Sequence, residues 1–329
     1  MFINMKNFLT IILLLIFLNS NAQSNPKKYY DYINKAELAI CDFKYEKASK
    51  LYEKAFKAHT PFISDLFNAT ILNTKFTKNY NLSLQYSRTL LQRDFEIGWI
   101  YREIALEDSL IAKKFEILED TVTSLTNQNL ISMLEELIVE DQKYRIGERD
   151  NCKIMEVDLN NFLKIIDLNR EFGSLNEIKI GFHYSYMTLL LHFTQNLYSP
   201  KDLLLNSVIN GDFNIKKYIE LYDIYMEKMG NPITYGRSWG QVYSVDNILI
   251  INYPYNIKLI NEERKKINMS ETWEDYVKKV KYQFINGNFN FYSRIEGYYE
   301  EKEVEKLIQE IDQEHQKGIY KREYIRKVK

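Results

Sequence analysis

The chain has 329 residues, 45% of them hydrophobic, enough apolar material for a sizeable core and most naturally two domains. Lys and Arg number 44 against 45 Asp and Glu, for a formal charge of -1. That balance gives no basic surface for nucleic acid and no acidic solvating tail, so the partners to expect are proteins or peptides.

The N-terminus reads as an address. Lys6 precedes an apolar run, Phe8 to Leu18, and Ser20-Asn21-Ala22 places small residues where a signal peptidase cuts. The run is too short for a stable membrane span, so residues 1–22 are expected to be a signal peptide. The mature chain would begin near Gln23 and be periplasmic or secreted, with no membrane association after cleavage. The two cysteines, Cys41 and Cys152, fall in different predicted domains and are expected to be buried free thiols.

Residues 29–120 are helical and repetitive. Tyr32, Ala36, Ala39, Tyr45, Ala48, Tyr52 and Ala55 alternate large and small packing positions. A shift of 35 brings Tyr45 onto Tyr80, Ala48 onto Ser83 and Ala55 onto Leu90, and Pro61 falls at the turn between units. The stretch DFKYEKASKLYEKAF resembles the second half of a tetratricopeptide repeat. A third, degenerate unit is expected over residues 97–112, with Trp99, Ile104 and Ala105. So short an array should lean on the C-terminal domain, either as its scaffold or while keeping a groove for a partner.

Thr126 or Asn127 is a plausible N-cap for the next helix. Its stripe runs Leu130, Leu134, Leu137, Asp141, Tyr144. A carboxylate on a buried stripe must be paired or ligated, and Arg145 stands one helical turn on, with the Gln142 amide beside it. In the following helix Met155, Leu159, Phe162 and Ile166 form the expected inward face, flanked by Asp158 and Asn161, and Gly173 ends it. The most apolar segment, residues 181–197, reads as a central helix. His183 and His192 lie nine positions apart on it, half a turn out of phase, and so cannot share a metal ion. No HExxH or CxxC occurs, and no cofactor or metal site is expected.

After Pro200 and the Asn210-Gly211 connection comes a helix over residues 215–229, with Ile215, Ile219, Tyr222 and Met226 inward and Asp223 at the border. The segment TYGRSWGQ, residues 234–241, reads as a ligand-facing loop that offers Tyr235, Trp239 and Gln241. Residues 242–253 read as β-structure turning at Asp246-Asn247, and Asn286-Gly287 reads as a second hairpin turn between residues 282–285 and 289–292. An amphipathic helix over residues 300–317 and a basic tail close the chain.

The order of DQKYR (141–145), DLNNFLKII (158–166), LLLH ending at His192, LYD ending at Asp223, GNPITYG (230–236) and NIKLINEERKKINMSETWEDY (256–276) resembles an uncharacterised bacterial domain family, often secreted and sometimes joined to helical repeats. The family tends to follow the histidine with a small residue and an acid, where this chain has Phe193-Thr194. It also runs from Tyr-Gly directly into Thr-Gln, where Arg237-Ser238-Trp239-Gly240 intervenes here. The resemblance implies a fold and candidate residues but no reaction.

The fold expected is mainly α: tetratricopeptide-like hairpins (29–120) packed on a mainly helical domain with small β-hairpins (128–298), then a helix and tail (299–329). Three roles remain open. The first is a protein-interaction or scaffolding module. The second is a hydrolase or transferase using His192 as base with Asp141, Asp158 and Asp223, where Arg145, Asn161, Tyr235, Trp239 and Gln241 bind the substrate. In the third, Asp141, Arg145, Asn161 and His192 satisfy one another as a buried network that fixes helix register.

Overall fold

The computed structural model describes residues 24–98, 108–146, 149–182, 184–196, 198–237, 242–245, 248–254, 256–292, 296–297 and 321–326. The expected signal segment, Trp99, Ile104 and Ala105 of the expected third repeat, the loop residues Trp239 and Gln241, His183, the turn expected at Asp246-Asn247 and the helix expected over residues 300–317 lie outside these residues.

A period of 35 residues organises the first third. Helices α1 (Pro26–Cys41) and α2 (Tyr45–Ala58) form one hairpin. Helix α3 (Ile63–Ile71), prolonged by a π turn (Leu72–Phe76), forms the next with α4 (Tyr80–Leu91). Ala48, Tyr52 and Ala55 of α2 are buried, and so are their counterparts Ser83, Ser87 and Leu90 of α4. The turns repeat as well: Phe43 and Lys78 both take left-handed φ, at 58° and 54°. An L-residue pays about 1–2 kcal/mol for that conformation, so its recurrence at matching positions marks one shared turn geometry.

Helices α5 (Ser109–Thr121), α6 (Gln128–Lys143), α7 (Asn151–Phe172), α8 (Glu177–Ile180), α9 (Tyr184–Gln195), α10 (Pro200–Asn210) and α11 (Ile215–Lys228) come next. Asp108, Asn127, Asp150, Asn176 and Asn214 each accept backbone N–H bonds at a helix start, so side-chain caps place most of these boundaries. Strands β1 (Val242–Val245) and β2 (Ile248–Tyr253) pair antiparallel, with Val245 opposite Ile248. Helices α12 (Ile257–Lys266) and α13 (Trp273–Asn286) precede β3 (Glu296–Gly297) and β4 (Lys321–Arg326), giving the sheet order β3-β1-β2-β4. The protein is mainly α. No helix among the described residues is long and apolar enough to cross a membrane.

Three local expectations are corrected. Asn286-Gly287 is no hairpin: Gly287, at φ 68°, caps α13, and residues 282–285 are helical. The left-handed glycine that a tight hairpin needs also ends helices, and a capping box at Thr272 commits the segment to a helix. Cys41 is buried as expected, and burial pushes its thiol up to about 12, but Cys152 is exposed. In α7 the buried residues are Ile154, Asp158, Asn161 and Ile165, so the inward face is rotated from the predicted one and Met155 and Leu159 point outward.

One hydrophobic cluster runs from Tyr29 to Tyr292. A chain of charges passes through it and joins the repeats to the C-terminal helices. Lys279 of α13, fully buried, donates to Glu37 of α1 (2.7 Å) and to Glu271 (2.8 Å). Lys216 at the start of α11 donates to the other Glu37 oxygen (2.5 Å) and lies 3.8 Å from Asp65 of α3. Glu271 also accepts from Tyr292 and from Arg264 (3.3 Å), so each buried charge meets an opposite one. Tyr29 donates to Asp65 at 2.5 Å.

The two acids titrate in opposite senses. Burial raises the Asp65 carboxyl from 3.8 to about 6, with Lys216 opposing. Glu271 is buried too, but Lys279 and Arg264 outweigh that cost and hold it at about 2 instead of 4.5. Asp65 therefore contributes stability that is complete below pH 3.8 and lost as pH rises through about 6. The Glu271 contribution is present above pH 4.5 and lost as pH falls through about 2. Denaturant melts across this range should show both limbs in the native chain, and Asp65→Asn should lessen the decline between pH 3.8 and 6, to which the raised Asp158 and Asp223 also contribute, while keeping the acid limb.

Candidate functional site

The polar residues singled out on apolar helices converge at the junction of α6, α7 and α9. The α6 stripe buries Leu130, Leu134, Leu137 and Asp141 in register. The Asp141 side chain has no exposed surface, and its Oδ2 lies 2.7 Å from His192 Nδ1 on α9. Arg145, one turn beyond Asp141, reaches it through Nε at 3.2 Å and Nη2 at 3.3 Å. The same Nη2 donates to Asp158 of α7, whose second oxygen accepts from Asn196 just past α9. Gln142 donates to Asp141 at 2.7 Å, and Asn161 of α7 donates to the Leu137 carbonyl at 3.1 Å.

The two carboxylates differ although both are buried. Burial works to raise Asp141, yet the hydrogen bond from His192 and the Arg145 guanidinium hold it below the usual carboxylate range. Asp158 is raised, first by burial and then by the neighbouring Asp141 charge, against the pull of Arg145. An ionised Asp141 makes His192 Nδ1 the proton-bearing nitrogen. His192 Nε2 takes no hydrogen-bond partner among the described residues, and the His192 and Arg145 side chains are 15% and 14% exposed. The arrangement can therefore orient an imidazole with one nitrogen left for a proton acceptor's role, or clamp three helices together through charge.

Asp223 belongs to a different network. Its oxygens accept from the backbone N–H of Thr234 (2.8 Å), Tyr235 (2.8 Å) and Arg237 (2.7 Å), and burial raises its pKa in spite of these donors. It is thus the anchor of the 234–237 loop, with both oxygens committed to that task. Tyr235 is correspondingly buried, 5.4 Å from the Tyr222 ring and 6.0 Å from that of Tyr218, and does not present a ligand-facing edge. Gly236, at φ 74°, lies so close to Trp273 that an added Cβ would stand 2.6 Å from the indole. The Gly236 carbonyl accepts from the Trp273 ring N–H at 3.2 Å. Of the four candidate catalytic residues, Asp141, Asp158 and His192 share one cluster and Asp223 does not.

The chain of charges through Glu37, Lys279, Glu271 and Arg264 is not among the sequence-based candidates. A signal for Glu37 was present: it sits among Ile33, Ala36 and Ile40 on the buried stripe of α1, as Asp141 does on α6. Lys279 and Glu271 carried no such sign, because α13 and its preceding loop are rich in charge on every side. Among the described residues no group of three or more His, Cys, Asp or Glu is placed to hold a metal ion.

No protein-family model matches the chain, no curated protein matches it, and no solved structure matches it.

Proposed function

We propose that the protein is a helical scaffold in which a tetratricopeptide-like pair of hairpins holds the chain's own C-terminal helices, leaving its other faces for protein partners. The observation that carries this reading is where the first helix of each hairpin spends its polar groups. On α1, Tyr30 accepts from Ile215 N–H, Asn34 donates to Asp275, and Glu37 accepts from Lys216 and Lys279. On α3, Asn68 exchanges two hydrogen bonds with the Asn290 backbone. A repeat groove that would otherwise take a peptide is filled in cis by residues 214–216 and 270–292.

Such a scaffold unfolds as one unit. Lys279→Ala leaves Glu37 and Glu271 short of a buried partner and should cost about 3–5 kcal/mol. Probes in α2 and in α13 should report the same single transition, shifted equally. Two transitions, with the repeats' own left in place, would refute the scaffold. The signal segment supports an exported protein: N-terminal sequencing of material from the native host should begin at Gln23, and a chain starting at Met1 would count against export.

The cluster at α6, α7 and α9 is best read as the buried network of this scaffold, with catalysis at His192 as the second reading because its Nε2 is uncommitted among the described residues. The two separate cleanly. Asp141→Ala removes the acceptor shared by His192 and Arg145 and should lower stability by about 2 kcal/mol in urea melts. If stability is unchanged and a turnover lost with His192→Asn is found instead, the catalytic reading takes its place.

A further inference from the structure

Helix α7 carries its chemistry the wrong way round for a helix of a closed monomer. Ile154, Asp158, Asn161 and Ile165 are buried, while Met155, Leu159 and Leu163 stand outward at 61%, 43% and 50% exposure. At about 100° per residue these three fall in a band about 80° wide, centred on Leu159. An apolar stripe along a 22-residue helix, with a carboxylate and an amide turned inward, is a surface built to be covered.

We propose that the cover is the same helix of a second copy, laid antiparallel across a two-fold axis beside Asn160. The charges select this occupant and this direction. Lys153, Glu156, Lys164 and Asp167 are all exposed and all fall on one flank of the stripe. A perpendicular two-fold keeps that flank on the same side in both copies while reversing the chain. With the axis at Asn160, Lys153 faces Asp167 and Glu156 faces Lys164, and symmetry makes each contact twice. Met155 then lies near Leu163, and Leu159 lies near its own mate. A parallel two-fold would run along the helices and put the two flanks on opposite edges, where these charges do not meet. Within one chain Lys153 meets the exposed Asp150 at 3.9 Å and lies 5.3 Å over the Tyr144 ring, and Asp167 meets the exposed Arg170 at 3.0 Å, weak contacts that leave both free to turn to a partner. The apolar centre is small, so the dimer is reversible and concentration-dependent.

Sedimentation equilibrium on the mature chain over a concentration series tests this. The weight-average mass should rise from one chain toward two. Leu159→Asp, a surface change, should hold the mass at one chain with an unaltered melting temperature. Glu156→Lys should weaken association by roughly tenfold, and adding Lys164→Glu should restore it, since the swapped charges again face each other. A one-chain mass at every concentration overturns the proposal. So does a dimer that Leu159→Asp leaves intact, or a charge swap that fails to rescue.

Discussion

A lysine ammonium with no exposed surface, held between Glu37 and Glu271, is the constraint on which the rest of the molecule depends. Desolvating a charge is costly by several kcal/mol, and only close opposite charges offset it. Lys279 meets that condition only when α1, α13 and the loop before α13 are all in place. Lys216 and Arg264 extend the same condition to α11 and α12. The attraction adds little net stability over an apolar core of the same shape. What it does is penalise every arrangement in which the repeats and the C-terminal helices are misaligned. A short helical array that could not bury its own face is thereby tied to a particular neighbour.

The same physics appears twice more at smaller scale. Asp141, Arg145, Asp158 and His192 fix the register of α6, α7 and α9, and Asp223 fixes a loop by accepting backbone N–H groups. These three centres differ in what they leave over. Lys279 with Glu37 and Glu271, and the Asp223 anchor, are sealed. The Asp141 cluster keeps a small exposed edge at His192 and Arg145, and α7, which supplies Asp158 from its inner side, shows leucines on its outer side. The region that leans on polar contacts for its internal packing is thus the region that offers apolar surface to a partner.

Much of this was legible in the chain. The 35-residue shift aligns Tyr45 with Tyr80, and these turn out to open α2 and α4, because small residues at close helix contacts tolerate no displacement. Asp141 betrayed itself by standing on an apolar stripe, and Arg145 and His192 proved to be its partners. Hydrophobicity alone points to the wrong inner face of α7, because Asp158 and Asn161 go inward to meet Arg145 and the Leu137 carbonyl. Asn286-Gly287 is ambiguous in the chain because one backbone conformation serves two structures.

By itself the sequence determined the helical class, the 35-residue period of α2 and α4, the cap at Asn127, the start of α11 and the presence of a charge that had to be satisfied on α6. Each of these is set by residues within a turn or two of one another, or by a strict period. Only the tertiary structure decided that Asp223 leaves the His192 cluster, that Glu37 finds Lys279 across 242 positions, and which side of α7 faces the protein. Those outcomes depend on which distant charges arrive together once water is excluded, and a desolvation cost shared among four helices has no local signature in the chain that bears it.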